Sequence, residues 1–227
     1  MKKLNSNFKV IMALILALSI LLLPIDTLAL VGADGGATPD EAVETKSDDM
    51  ELVDTGASLF DGDGSQANPY IIASADDWNA LADSVLDGNS YADQYIELTE
   101  DITVTRGVGG GLSGNNIVSP FSGTFDGGGH TLTVNIETGA TCAAPFFDVA
   151  GTTTIKDLKV DGYVKGGGHP GGLVGGATGT LKIETVLVST DVSGSIVGGI
   201  IGHGFLSDIT MISCAYSGNL QASSWSG

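Results

Sequence analysis

A repeat of 27 to 28 residues is the feature of this sequence that most limits the folds open to it. The glycine-rich segment GGLVG at residues 171–175 recurs as GGIIG at residues 198–202. The alternating apolar segments after each box match one another at 209–220, 181–192, 155–164 and, more faintly, 125–136. Several successive units with one spacing indicate an internal repeat, as in solenoid proteins.

The composition of each unit predicts strands rather than helices. A unit has no 3.6-residue apolar period, is rich in Val, Ile and Thr, and has a glycine every few residues. This pattern fits about three short strands joined by tight turns, which form one rung of a parallel β-helix. The expected fold class is therefore all-β: a right-handed parallel β-helix, by the usual crossover hand, with a short α/β entry module at its N-terminal end.

The N-terminus has the pattern of a secretory signal peptide. Lys2, Lys3 and Lys9 precede an apolar run at 10–23, and cleavage is expected after Ala29 or Ala33. We therefore assign residues 1–29 to a signal peptide and expect a bacterial protein that is secreted or attached to the cell surface. An uncleaved anchor is the alternative, which the shortness of the run disfavours. No later run is long enough to predict a membrane span.

Two segments separate the signal from the repeats. Residues 30–59 are acidic and poor in aromatics, which predicts a disordered linker. Residues 60–105 form the entry module: Pro69–Ala73 is expected to be extended, and strands are expected at 95–98 and 102–104. Between them Ser74 is an N-cap candidate for one helix, which Gly88 ends. Its apolar residues recur at helical spacing: Trp78, Leu81, Ala82, Val85 and Leu86. The repeats are assigned to 106–227.

The charge balance excludes several partners. Without residues 1–29 the chain has six basic and 26 acidic residues. Such a surface repels nucleic-acid phosphates and anionic lipid. The two cysteines, Cys142 and Cys214, are separated by about 2.6 rungs, so they are not expected to form a disulfide.

The order of the short motifs resembles one known family. PFSGTFDGGGHTLTVNI at 120–136, followed by GGLVG and GGIIG, is similar to bacterial surface proteins that carry the GLUG motif. GDGSQANPYIIASADDWNALADSV, which begins at Gly62, resembles the module that precedes such repeats. The resemblance implies a right-handed β-helix on a secreted or wall-attached protein, with an adhesive role in some members. Some relatives are immunoglobulin-A-cleaving metalloproteases, but this chain has no H-E-x-x-H, so protease activity is not implied for it.

Gly166, Gly168 and Gly171 have the G-x-G-x-x-G spacing of dinucleotide-binding loops. That site needs a helix after the glycines, whereas Leu173 and Val174 predict a strand. We therefore expect these glycines to be structural, allowing a positive φ at rung corners and close approach between rungs.

Metal-binding patterns are weak. Asp61, Asp63 and Ser65 alternate as oxygen donors that Ca²⁺ could use, but the rest of an EF-hand loop is missing. His130, His169 and His203 lie near glycines in predicted turns and lack the spacing of zinc ligands. His169 and His203 are 34 residues apart, which is not the repeat length, so we expect them not to stack.

The densest charge cluster in the repeats is Lys156, Asp157, Lys159 and Asp161. Some β-helices are polysaccharide-degrading enzymes, which use acidic pairs or a strong base, but the only arginine, Arg106, precedes the repeats. Because Leu158 and Val160 alternate with the charges, a solvated strand face is expected instead. Cys214 aligns with Val186 and is expected to be a small buried apolar residue.

We therefore expect no catalytic, cofactor or metal site in this chain. The favoured function is a non-enzymatic exported surface module, an adhesive or structural stalk with host or cell-surface glycans or proteins as partners. The alternative is the non-catalytic N-terminal part of a larger secreted metalloprotease or polysaccharide-degrading enzyme. Ser226 and Gly227 align with the start of the glycine box at 198–202, so the natural protein is expected to continue.

Overall fold

The computed structural model of the chain describes residues 59–113 and 116–223. The predicted signal peptide and nearly all of the predicted linker lie outside the described residues. The described chain forms one helix and thirteen strands: β1 Tyr70–Ile72, α1 Ala75–Leu86, β2 Tyr95–Leu98, β3 Ile102–Val104, β4 Leu112–Ser113, β5 Asn116–Ile117, β6 Phe121–Asp126, β7 Thr131–Glu137, β8 Phe146–Lys165, β9 Val174–Val188, β10 Asp191–Gly194, β11 Ile201–Ile212, β12 Ala215–Tyr216 and β13 Leu220–Ala222.

Parallel pairing between successive units confirms the predicted β-helix. One ladder of paired residues runs through six strands: Tyr70, Ile96, Phe125, Ile155, Ile183 and Met211. The coil makes about five turns. The last two steps of this ladder are 28 residues, as predicted, whereas the step from Phe125 to Ile155 is 30. This longer step explains why the unit at 125–136 matches the others only faintly.

The core is a set of apolar ladders inside the coil. Ile155 and Ile183 are fully buried, and on a second face Val160 pairs with the equally buried Val188. Alternate residues of each strand point to opposite faces, so each strand contributes one inward series. Complete burial of one such side chain stabilises the fold by roughly 1.5–3 kcal/mol. The repeated apolar spacing in the sequence is therefore the packing pattern of the core.

The predicted helix is confirmed as α1. Ser74 caps it, since its Oγ accepts a hydrogen bond from the Asp77 backbone N–H at 3.1 Å and donates one to the Asp77 carboxylate at 2.8 Å. Trp78 is fully buried, with its ring edge-on to Phe125 and Phe146 at 5.8 and 5.6 Å. Leu86, which the periodicity placed on the buried face, is 45% exposed at the end of the helix.

The parallel sheet begins within the segment that the sequence assigned to the entry module. β1 pairs with β2 and β2 pairs with β6, all in parallel, so residues 70–72 and 95–98 already belong to the coil. β2 and β3 have the predicted bounds. Helix α1 is inserted between β1 and β2, where it packs its buried face on the first rungs.

One corner of the coil recurs in left-handed backbone conformation. Asp157, Thr185 and Ser213 have φ values of 50°, 54° and 55° and lie 28 residues apart. This conformation costs a non-glycine residue roughly 1–2 kcal/mol. A second corner uses Gly151 and Gly179, with φ of 67° and 76°. The turn geometry thus repeats even where the residue type does not.

The last described rung leaves apolar side chains open. Met211 is 53% exposed, whereas its ladder partner Ile183 is fully buried. The same contrast separates Leu220, 50% exposed, from Val192, which is buried. Within residues 59–113 and 116–223, the strands that β11 pairs with are limited to β9. No helix in this part of the chain is long and apolar enough to cross a membrane.

Candidate functional site

The glycine box at 171–175 exists because two backbones approach each other closely. A Cβ on Gly171 would lie 2.0 Å from the Val174 carbonyl oxygen and 2.6 Å from the Gly202 nitrogen. None of Gly166, Gly168 and Gly171 has a φ in the left-handed region, so the expected positive φ is wrong for these glycines. Close approach, the other predicted reason, is confirmed.

The box is followed by a strand, as predicted. β9 begins at Val174 and pairs along its length with β8, so no helix N-terminus faces the glycines. The second box stacks directly on the first, because Gly171 is bridged to Gly198 and a Cβ on Gly172 would lie 2.2 Å from the Gly199 carbonyl oxygen. The glycines therefore form a stacked corner rather than a phosphate-binding loop.

The expectation that His169 and His203 do not stack is wrong. Their ring centroids are 5.0 Å apart, and the His203 ring also stacks on Phe205 at 6.2 Å. The cause is the corner loop before Gly171, whose backbone at His169 approaches Gly202 so closely that a Cβ there would lie 2.0 Å from the His169 carbonyl oxygen. Loop stacking, rather than the strand register, thus brings these two side chains together.

The other metal candidates lie apart from this pair. His130 faces Asp101, with 3.3 Å between Nδ1 and Oδ1. The Asp63 carboxylate accepts the Ser65 backbone N–H at 2.9 Å, and hydrogen bonds from Ser65 hold the pKa of Asp63 below its usual value. Asp61 contributes its backbone carbonyl to Ile71 at 3.0 Å. In the described ranges, no three His, Cys, Asp or Glu side chains converge as metal ligands would.

The charge cluster at 156–161 is a solvated strand face, as predicted. Leu158 and Val160 are buried, while Lys159 and Asp161 are exposed. Lys156 pairs with Asp126 on the preceding rung and lies 3.5 Å from the Asp157 carboxylate. Elsewhere Arg106 pairs with Asp83 of α1 at 2.7 Å. These charges hold neighbouring rungs and the helix together.

One buried acid was not identified from the sequence. Asp148 is fully buried, and neither of its carboxylate oxygens has a hydrogen-bond partner. It pairs with Gly176 on the next rung, where a Cβ would lie 2.3 Å from its Oδ1. Burial raises the pKa of Asp148 to about 7, and the Gly111 backbone N–H, which is outside hydrogen-bonding geometry, lowers it only slightly. A single acid within the apolar run PFFDVA was the available signal.

Cys142 is the neighbour of this acid. Its Sγ lies 3.6 Å from the position that a Gly176 Cβ would occupy. Burial, with the nearby Asp148 carboxylate, raises the pKa of the Cys142 thiol to about 11, so the nucleophilic thiolate is disfavoured. Cys142 and Cys214 are both free, which confirms that they form no disulfide. Cys214 is half-buried, so its predicted burial is only partial.

A broad polar surface lies on one side of the coil. We define the lateral face as the outward side chains of residues 131–137, 159–165, 187–193 and 215–221. The residues stand in register: Asn135 pairs with Tyr163 and Tyr163 with Asp191. The Asp191 carboxylate accepts hydrogen bonds from the Asn219 backbone and side chain at 2.9 and 2.8 Å. Tyr163 is 43% exposed among these polar neighbours.

A shallow groove of about 320 Å³ opens beside Tyr163. Its polar lining residues are Lys165, Ser193, Ser195, Gln221 and Ser223. The Lys165 ammonium is paired with Glu137 at 2.5 Å, so its charge is balanced within the face. The Ser195 hydroxyl donates to the Gly167 carbonyl at 2.7 Å and leaves its oxygen free to accept. The groove therefore offers hydroxyl, amide and phenol groups rather than net charge.

These groups can bind a polar ligand, but the described side chains form no nucleophile–base pair that would transform one. The Cys142 thiol and the Asp148 carboxyl lie inside the corner of the coil, away from this surface, and neither is exposed. Comparisons with models of known protein families, with curated proteins and with solved structures found no match to this chain.

Proposed function

We propose that this chain is a non-enzymatic module of an exported bacterial surface protein, and that its lateral face adheres to other surface molecules. The observation that carries the proposal is the lateral face itself, in which polar residues of successive rungs stand in register around the exposed Tyr163 ring. An aromatic ring with a polar tip among hydroxyl and amide groups is suited to binding at a wet surface.

The architecture supports this role in a second way. Each rung adds about 4.8 Å of length and repeats the same outward positions, so the coil presents an elongated, flat surface. The chain has 27 acidic and nine basic residues, which favours solubility outside the cell and disfavours phosphate-rich partners. The resemblance to GLUG-motif surface proteins agrees with these features.

The experiment is to express the full chain in a bacterial host and to examine the exported protein. Intact mass is expected to show cleavage after Ala29 or Ala33, and protease is expected to reach the protein on whole cells. The exported chain is then applied to an array of neutral and acidic oligosaccharides and cell-surface proteins. Tyr163→Ala is expected to reduce binding to any ligand found by about tenfold or more.

The matched control is Tyr95→Ala, which removes a half-buried tyrosine from a different side of the coil. It is expected to leave binding unchanged. Retention of the protein in the cytoplasm would contradict export. Equal loss of binding in both variants, or no binding to any array member, would contradict adhesion through the lateral face.

A further inference from the structure

The C-terminal end of the coil concentrates exposed apolar surface. We define the end face as the exposed apolar side chains of the last rung. They are Ile196, Phe205, Leu206, Ile209, Met211, Ile212 and Leu220. Seven of the twelve large apolar side chains that are exposed in the described chain belong to it. On the rung below, the ladder partners of Ile209 and Met211, Leu181 and Ile183, are fully buried. The end face therefore has the side-chain pattern of a surface that another layer covers.

The same end presents an unpaired strand edge. β11 is bonded to β9 on one side, and no other described strand pairs with its far side. An open edge exposes a row of backbone N–H and C=O groups that can bind another strand. The edge strand and the apolar side chains of Ile209 and Met211 thus specify a partner that supplies an extended strand with apolar residues at alternate positions.

Charge narrows the partner further. Residues 196–220 contain one acidic residue, Asp208, and no lysine or arginine, although the whole chain has a formal net charge of −18. The end face is therefore a nearly neutral area on a strongly acidic molecule. A basic partner gains nothing from such a face, whereas a second neutral, apolar face with a strand edge matches it.

We propose that the partner is a second copy of this chain, bound tail to tail through the two end faces. The opposite end of the coil cannot accept the end face, because α1 lies there with Trp78 packed on Phe125 and Phe146. A head-to-tail filament is therefore blocked, and the self-complementary arrangement is a closed twofold dimer. The twofold axis places the β11 strand of each copy antiparallel to its mate.

The area sets the strength of this contact. At roughly 100 Å² of apolar surface per fully exposed side chain, seven partly exposed ones present on the order of 350 Å² per copy. A patch of this size marks an interaction site on a soluble protein. Two copies together reach the low end of interface sizes, which is typical of weak, reversible association. We therefore expect a dimer that dissociates on dilution.

The test is analytical ultracentrifugation of the exported full chain from low micromolar to several hundred micromolar. The wild type is expected to show a reversible monomer–dimer equilibrium. Met211→Lys places a charge at the centre of the end face and is expected to raise the dissociation constant at least tenfold. The control is Leu187→Lys, which changes a side chain of equal exposure, 51%, on the lateral face and is expected to leave dimerisation unchanged.

A second measurement covers the case in which Met211→Lys disturbs folding, which circular dichroism detects. Hydrogen exchange of the wild type at low and high concentration is expected to show protection that increases with concentration at residues 207–212 and not in β7. A monomer at every concentration overturns the proposal. So does an open-ended series of oligomers, a complex with a different protein in place of the dimer, or a dimer that responds equally to both lysine variants.

Discussion

Asp148 lies directly opposite Gly176 on the next rung, and a methyl group at residue 176 would be 2.3 Å from the Asp148 Oδ1. The glycine therefore makes room for the carboxyl group, but the backbone around it supplies no hydrogen bond to either oxygen. An acid buried in this way is most stable in its protonated form. The corner of the coil thus contains a titratable group whose ionisation opposes folding.

The first prediction concerns pH. The pKa of Asp148 is raised from 3.8 to about 7 in the folded state. Its contribution to stability is therefore fully present below about pH 4 and is lost as the pH rises through 7. From this shift the loss reaches about 4 kcal/mol at pH 8. Asp148→Asn cannot ionise, so we expect its stability relative to the wild type to increase by a few kcal/mol between pH 5 and pH 8.

Urea unfolding at the two pH values measures this change. Because an amide at residue 148 also lacks partners at both pH values, that cost cancels in the comparison. Asp161→Asn, at an exposed position of the lateral face, is the control and is expected to show little pH-dependent difference. A constant difference between Asp148→Asn and the wild type across this range would show that the carboxyl ionises normally.

The second prediction concerns the stacked corner. Gly176→Ala is expected to destabilise the protein by about 1–3 kcal/mol, because the added methyl group overlaps the Asp148 carboxyl. Gly139→Ala is the matched control, since a Cβ at Gly139 would meet nothing within 4 Å. Thermal unfolding of the two variants gives the comparison. Equal melting temperatures would mean that the corner is not close-packed.

The third prediction concerns thiol reactivity. The pKa of Cys142 is raised to about 11 and its side chain is buried, so alkylation by iodoacetamide at pH 8 is expected to be slow. Cys214 is half-buried on the last rung and is expected to react at least tenfold faster. Peptide mass spectrometry resolves the two sites, and unfolded protein provides the control in which both react. Faster labelling of Cys142 in the folded chain would exclude this environment.

The fourth prediction concerns the left-handed corner. Thr185 is exposed and has a φ of 54°, which is strained for a β-branched residue. Thr185→Gly removes that strain but increases the entropy of the unfolded chain. We expect a net gain of about 0.5–1 kcal/mol in the free energy of unfolding. Thr154→Gly, in the middle of β8, is the control and is expected to lose about 1 kcal/mol.

The sequence predicted the elements that repeat a pattern. The α1 residues recur at helical spacing and the rungs recur at 28 residues, so the helix and the ladder from Ile155 to Met211 could both be located. Each of these patterns depends on which side chains are apolar. A one-dimensional comparison finds such patterns because burial on one face imposes them directly.

The corner loops could not be predicted in this way. His169 meets His203 because two loops stack with an offset that differs from that of the strands, and no residue pattern marks that offset. The glycine box was correctly assigned to structure, yet its φ values depend on the path of the loop. Asp148 was missed for a related reason, since its burial depends on the neighbouring loop at Cys142 rather than on its own strand.

The cap at one end gives the molecule a direction. Helix α1 closes over the first rungs, so those rungs can complete their core from residues within the first half of the described chain. Every later rung gains its partners only when the preceding rung is in place. A chain that emerges with its N-terminal end first therefore delivers the seed before the layers that grow on it. We expect folding to be ordered along the coil, with the α1 end as its starting point and the exposed rung at residues 201–223 as the last to form.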